Sequence, residues 1–409
     1  MSGTVRFHRV IGALLLIVAC ISVSVAQRVS SSPPAADESP TPSFETLRRQ
    51  AFDALYNLDY ETSGKLFQQI TEVAPDHPAG YLYMATQVWI TQLNRTRRLQ
   101  TGLYSSASFY SKTPEPVDPQ VDHQFRDYIR QSIEKAEARL QQNARDVEAR
   151  YFLGAAYGAL AGYEASVARQ FFSALKNGSR SVEEHRKVVQ QDPTFADAYL
   201  TIGLYDYIVG SLPVWAKIMA ALGGMRGSKE RGIEHLQRAA TQGRFVNDDA
   251  RVLLIAIYAR EGRSQQALEL INQLARQYPR NYYLQMEAAI MQIRMGRKQD
   301  GFNAFEALLQ NKQFDDVKDL LHFQYAQTLA ASGYHVAALH HYRRVTSMPQ
   351  ANRQLVSLAH LRIGQLHDLK GERDAAIAAY KTVLSHDNVF DSHEQAQRYM
   401  RKPYVSGGE

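Results

Sequence analysis

Residues 248–281 read DDARVLLIAIYAREGRSQQALELINQLARQYPRN, and the order of residue types within them decides the fold. Apolar residues recur at helical spacing on both sides of Gly262. A glycine, free to take positive φ, is what a helix needs at its C-terminal end if the chain is to turn back. On the second helix Ala267, Ile271, Leu274 and Tyr278 step by four, three and four residues, a single stripe that needs a partner. Pro279 then ends that helix. The stretch predicts two helices folded into a hairpin.

The same landmarks return along the C-terminal half. Gly262, Gly296, Gly333 and Gly371 are 34, 37 and 38 residues apart. Five residues after each stands a small residue, Ala267, Gly301, Ala338 or Ala376, and four further on a large apolar one, Ile271, Phe305, Tyr342 or Tyr380. The small residue lets two helices approach, and the large one fills the groove between them. A period of this length predicts stacked units, each contacting its neighbours, with one continuous core.

These positions resemble the tetratricopeptide repeat (TPR). Leu254, Tyr258, Gly262, Ala267 and Pro279 carry the pattern in residues 248–281, and Gly364, Gly371, Ala376 and Tyr380 carry it in residues 357–388. Tyr60, Phe67 and Pro75 carry it near the start, with Ser63 where the family has alanine, and Gly203 follows in AYLTIGLYDY. The resemblance spans most of residues 44–388. It implies an all-α, TPR-like helical-hairpin solenoid, a right-handed superhelix whose first helices line a concave face suited to a peptide or partner helix. In that register the groove positions are Tyr207, Tyr283, Met286, Ile290, Phe323 and Gln327. Family members that clamp chaperone carboxylates use Lys, Arg and Asn on these faces. The mainly apolar and aromatic residues here point instead to an apolar protein segment.

Three stretches interrupt the pattern. Residues 94–122 are polar and proline-bearing and read as a long inserted loop, after which Phe125, Ile129, Ile133, Ala136 and Leu140 stripe a helix. In ARYFLGAAYGALAGYEASVARQFFSALKNG a first helix is followed by an extra helical stretch through Phe171 and Phe172, and Asn177-Gly178 reads as the turn. GSLPVWAKIMAALGGMRGSKERG, residues 210–232, reads as an inserted helix opened by Pro213 and closed by Gly223 and Gly224, with Ser228 capping the next helix. A phosphate loop is excluded, because Ser228 separates Gly227 from Lys229 and the flanks are helical. The apolar run is too short to span a membrane and contains Lys217, yet Trp215 and Lys217 mark it as a candidate membrane- or partner-contacting insert. Residues 202–245 also look similar to a segment of the tetratricopeptide repeat protein 39 family, at Leu212, Pro213, Lys217, Gly224, Gly227, Gly232 and Leu236.

Residues 1–26 have the parts of an export signal: basic Arg6 and Arg9, an apolar run, and SVA at 24–26. Within it Cys20, the chain's one cysteine, ends a lipoprotein-type IVAC, so lipidation at Cys20 and cleavage after Ala26 are competing expectations. Residues 27–43, rich in Pro and Ser, read as a tether. The remaining segments are N-terminal hairpins with insertions (44–195), a hairpin with a Gly-rich insert (196–245), a C-terminal array (246–395) and a tail (396–409).

A net charge of +6 in 409 residues, with both signs interspersed, argues against nucleic acid as partner. His335, His340 and His341 lack metal-ligand spacing, and His360 and His367 lie two turns apart. No cofactor fingerprint or catalytic motif appears. The expected function is a non-enzymatic scaffold for protein–protein interaction or complex assembly, exported to the periplasm and tethered at the bacterial envelope. The alternatives are a glycan- or lipid-binding envelope protein using residues 103–110 and 212–225, and a hydrolase with a scattered site.

Overall fold

In a computed structural model the described residues are 42–99, 117–222 and 224–406. Among them are eighteen α-helices and no β-strand. Two compact units make up the chain: Met1–Leu93 with Pro116–Asn281, and Asn94–Glu115 with Tyr282–Glu409. This division follows compactness and so cuts across the segmentation by repeat register, falling after Asn281 instead of at 195 or 245.

The first unit contains α1 (Phe44–Tyr56), α2 (Tyr60–Val73), α3 (Pro78–Arg95), α4 (Pro119–Gln142), α5 (Val147–Ser166), α6 (Phe171–Gln191), α7 (Tyr199–Gly210), α8 (Val214–Leu222), α9 (Lys229–Gln242), α10 (Asn247–Arg260) and α11 (Ser264–Gln277). They pair as α1/α2, α3/α4, α5/α6, α7/α9 and α10/α11, with α8 as the insert. The second unit contains α12 (Tyr282–Arg294), α13 (Lys298–Gln310), α14 (Lys318–Ala331), α15 (His335–Ser347), α16 (Arg353–Leu369), α17 (Arg373–Val383) and α18 (Ser392–Arg401). Its hairpins are α12/α13, α14/α15 and α16/α17.

The four repeat glycines do what the sequence asks of them. Gly262, Gly296, Gly333 and Gly371 have φ of 73°, 84°, 86° and 76°. Past each, a backbone N–H closes a six-residue ring onto the preceding helix: Arg263 to Tyr258 O, Arg297 to Gln292 O, Tyr334 to Leu329 O and Glu372 to His367 O, at 2.8–2.9 Å. These are Schellman C-caps, which satisfy carbonyls that a helix end otherwise leaves unpaired. Ala267, Ala338 and Ala376 are fully buried where paired helices cross, as are Phe305 and Tyr380 behind them. Burying each such large side chain is worth about 1.5–3 kcal/mol. In the first hairpin Ser63 fills the alanine position with no exposure, and Leu58, at φ 63°, takes the glycine's place.

The turn between α5 and α6 is not at Asn177-Gly178. It lies at residues 167–170, with Arg169 at φ 56°, and α6 runs unbroken through Asn177 and Gly178. Buried Asn177 turns its amide inward and donates from Nδ2 to Glu164 Oε2 at 2.8 Å. A tertiary hydrogen bond therefore overrides the local turn preference of the dipeptide.

The insert follows its reading. Lys217 N donates to Pro213 O as α8 begins, Gly224 turns the chain at φ 78°, and Ser228 Oγ accepts from Arg231 N at 3.3 Å to cap α9. Gly223 lies outside the described residues. The remaining glycines serve close packing: a Cβ on Gly232 would sit 2.4 Å from Tyr207 N and 2.7 Å from Gly203 O. The backbones of α7 and α9 are in direct contact there.

Within the first unit the N-terminal hairpin packs against later helices. Phe52 of α1 packs edge-on against Phe67 and Tyr83, and the ring chain continues through Phe152 to Phe245. Tyr56 stacks on Tyr278 at 4.8 Å, and Asn281 Nδ2 donates to Tyr56 O at 2.7 Å. The first helix of the unit therefore meets the end of its last hairpin. In the second unit, residues 396–409 begin as part of α18 and are not merely a tail. Ala396 and Tyr399, three apart on one face, close the apolar edge left by Tyr380 and Val383 of α17.

Candidate functional site

The second unit presents the N-terminal ends of its first helices to a short strap of chain, Asn94–Arg98, and this is the candidate site. Arg97, at φ 54°, donates its N–H to Asn94 O and turns the chain out of α3. Five receptor residues follow in order. Tyr282 and Tyr283, opening α12, donate from their hydroxyls to Asn94 Oδ1 at 2.9 and 3.2 Å. Asp319, in the first turn of α14, accepts from Arg97 Nη2 at 3.2 Å, and the same nitrogen donates to Asp316 O. Asn352, the N-cap of α16, donates from Nδ2 to Arg95 O at 3.3 Å. Phe390, before α18, lies beneath the Arg98 guanidinium at 5.5 Å.

Two of the receptors are fixed by helix-end hydrogen bonds. Asn352 Oδ1 accepts from Gln354 N and Leu355 N, the ordinary work of an N-cap. Asp319 Oδ2 accepts from Asn352 N at 2.9 Å, linking two neighbouring hairpins. Asp319 and Arg98 are both buried, so the Arg97–Asp319 pair and the Arg98–Phe390 cation–π contact work at reduced dielectric. Burial pushes the Tyr282 phenol above its usual range, which keeps it a donor. The arrangement holds the C-terminal turn of α3 by one backbone carbonyl, one amide side chain and two guanidinium groups.

Of the positions read from the sequence, Tyr283 belongs to this site. Met286 and Phe323 are buried packing residues beside it, Ile290 is half-buried, and Gln327 is exposed. Tyr207 is buried in the first unit, its hydroxyl donating to Glu261 Oε1 at 2.8 Å. Trp215 and Lys217 are exposed on α8. Cys20 and residues 103–110 lie outside the described residues. Sequence reasoning missed Asn94, Arg97, Asp319 and Asn352. The overlooked signal is that Tyr282, Asp319, Asn352 and Phe390 stand 37, 33 and 38 residues apart, at the repeat period.

The histidines form pairs. His322 Nδ1 and His341 Nδ1 share a hydrogen bond at 2.8 Å, and burial first, then neighbouring cations, lowers both to about 4. His360 stacks on His386, not on His367, and His367 meets Glu372 at 2.5 Å. No group of three or more His, Cys, Asp or Glu side chains converges on a metal position among the described residues. A cleft of about 270 Å³ among α9, α10 and α11 is lined by Gln237, Arg251, Tyr258, Gln266 and Glu269. A second, of about 360 Å³, lies between α4 and α5 beside Ile129, Ile133 and Leu160. Neither lining includes Ser, Cys or His.

No protein-family model matches the chain, and no curated protein matches it in sequence. Among solved structures it is similar to the human IFIT1 dimer with PPP-AAAA, at 12% identity and a TM-score of 0.41 over 88% of this chain and 83% of that one. It is similar to yeast Tom70, at 12% identity and 0.40 over 85% and 86%. It is also similar to a thermophilic TPR protein of Thermus thermophilus, at 17% identity and 0.33 over 61% of this chain and 100% of that one. Such identities and scores say nothing of this chain's ligand. The hairpin register, the glycine turns and the small-residue crossings described above make the chain an all-α solenoid of tetratricopeptide-type hairpins.

Proposed function

We propose that this protein is an exported interaction scaffold whose second unit grips a short polypeptide turn across the N-terminal ends of its first helices. The observation that carries the reading is the strap: Asn94–Arg98 is already held there by Tyr282, Tyr283, Asp319 and Asn352. The grip uses one backbone carbonyl and a few side-chain anchors, the means by which helical-repeat surfaces hold short segments. The sequence of residues 1–43 supports export, with Cys20 as lipid anchor and 27–43 as spacer to a bacterial envelope membrane.

A peptide of residues 92–99, QLNRTRRL, tests the grip directly. An Arg97→Ala/Arg98→Ala chain, with its strap weakened, will bind the labelled peptide in trans more tightly than the wild type does, and a further Asp319→Ala change will abolish binding. Absence of binding to the strap-weakened chain ends the reading of this face as a receptor. Export is tested separately by lipid labelling in envelopes, which Cys20→Ala will remove.

A further inference from the structure

The α8 insert turns an apolar face away from the protein. Val214, Trp215, Ile218 and Leu222 are 75%, 53%, 58% and 79% exposed, whereas Ala216, on the opposite side of the helix, is 8% exposed. Positions 214, 218 and 222 lie within about 80° of one another on a helical wheel, and Trp215 extends the same face. Met225, just past the helix, is exposed as well. A second exposed apolar pair, Phe172 at 94% and Leu175 at 62%, stands on the first turns of α6. Only a short connection joins α6 to α7, and Arg186 of α6 lies over the Tyr205 ring, so the two helices run antiparallel. The chain therefore leaves α7 for α8 in the direction in which α6 begins.

Both stretches lack acidic residues. Residues 207–229 contain Lys217, Arg226 and Lys229 and no Asp or Glu, and residues 165–182 contain Arg169, Lys176 and Arg180 and no Asp or Glu. Lys229 is paired with Glu261, but Lys217, Arg226, Lys176 and Arg180 are exposed and in no ion pair among the described residues. Glu230, the first carboxylate beyond the insert, accepts from Ser228 Oγ at 2.7 Å. An apolar face carrying a tryptophan and flanked by cations is the composition of a helix that lies in the headgroup region of an anionic bilayer. A protein partner of ordinary interface chemistry would instead call for a polar rim of hydrogen-bonding groups. No described helix is long and apolar enough to cross a membrane, so the contact is a surface one.

We infer that α8, with Phe172 and Leu175 of α6, is a membrane-surface contact site for anionic phospholipid. It is separate from the strap site and from any anchor at Cys20. Trp215 supplies a specific probe, because the other tryptophan, Trp89, is fully buried and donates to Ser166 Oγ at 2.9 Å.

The test is tryptophan emission of the full chain titrated with phosphatidylglycerol-containing vesicles. A blue shift, with quenching by brominated acyl chains, is expected. Partitioning should weaken about fivefold for each engaged cation lost on changing to neutral phosphatidylcholine. Ile218→Glu/Leu222→Glu should abolish the shift with unchanged far-UV circular dichroism, and Lys217→Glu/Arg226→Glu should weaken it. Unmoved emission overturns the proposal, even if the protein sediments with vesicles, since that is anchoring through residues 1–26 alone. A shift equal in the Ile218→Glu/Leu222→Glu chain overturns it too. So does a shift given by a purified envelope protein and not by vesicles, which would assign the face to a protein partner. The peptide experiment on the second unit is unaffected by any of these outcomes.

Discussion

Arg231 grips Asp206 with two hydrogen bonds, Nε to Oδ2 at 2.6 Å and Nη2 to Oδ1 at 2.9 Å, next to the place where Gly232 lets α9 touch α7. Burial alone would raise the Asp206 carboxyl, but the hydrogen bonds from Arg231, with His235 close by, hold it below the ordinary carboxylate range. Planar, two-point recognition of this kind belongs to arginine. Arg231→Leu should cost about 1–3 kcal/mol, because it leaves a buried carboxylate short of donors. Arg231→Lys should recover only part of the loss. Urea unfolding of the three chains measures this, and equal midpoints for wild type and Arg231→Leu would count against the pair as a clamp.

Two kinds of glycine in this chain should answer differently to substitution. Gly262 needs its positive φ and has nothing within 4 Å of where a Cβ would stand. Gly232 needs the absence of the Cβ itself, because backbone of Tyr207 and Gly203 occupies that space. Gly262→Ala should therefore cost about 1–2 kcal/mol, and Gly262→Asn less, since asparagine tolerates the left-handed region. At position 232 the order should reverse. Alanine should cost about 1–3 kcal/mol or more, and asparagine should be worse, because the demand is for volume. Thermal midpoints of the four variants decide it, and asparagine outperforming alanine at 232 would contradict the backbone contact.

Leu58 carries a strain that the later hairpins avoid. It stands at φ 63° in the α1/α2 turn, where Asp59 N closes onto Ala54 O at 2.8 Å as the residues after Gly262 and its counterparts do. A left-handed conformation costs a non-glycine residue about 1–2 kcal/mol. Part of that relief is offset by the greater freedom of glycine when unfolded and by the half-buried leucine side chain. Leu58→Gly should therefore raise stability by up to about 1 kcal/mol, read as a higher unfolding midpoint.

The periodic half of this fold was legible because each landmark has a local cause. Gly262, Gly296, Gly333 and Gly371 cap helices, and the residues five and nine beyond them set the crossing, all within one hairpin. Leu58 shows the limit of that signal, since the turn survives without its glycine. Asn177-Gly178 shows another, because Glu164, thirteen residues away, outcompetes the turn preference of the dipeptide. The strap site was hidden for a physical reason as well. Asn94 and Arg97 meet Tyr282 and Asp319 across separations of 188 and 222 residues, and no local pattern encodes such a pairing. Nor did the periodic signal show that α1 would pack against the far end of the first unit. Its contacts are Tyr56 on Tyr278 and Asn281 on Tyr56 O, pairings more than 200 residues apart that a repeat pattern does not specify.

Three histidines should make the protein lose stability in mild acid. His185 is fully buried, stacked on Tyr151, and donates from Nε2 to Tyr151 O at 3.1 Å; burial lowers it to about 4. His322 and His341 are lowered to about 4 by burial and by one another's neighbourhood, which includes His340, Arg344 and Lys318. Their shared Nδ1–Nδ1 hydrogen bond needs one donor and one acceptor, so a proton on the acceptor leaves two N–H groups facing each other. The unfolded chain takes up these protons near 6.5, the folded chain only at about 4. Between those values the unfolded state binds more protons, so stability must fall as pH falls through the window and stay level above it as far as these groups are concerned. The thermal midpoint should drop steadily from about pH 6.5 to 5, above the range in which ordinary carboxylates titrate. His322→Gln/His341→Gln should flatten that slope without removing it, because His185 remains. A midpoint constant from about pH 7 to 5 would show that these rings accept protons as readily in the folded chain as in the unfolded one.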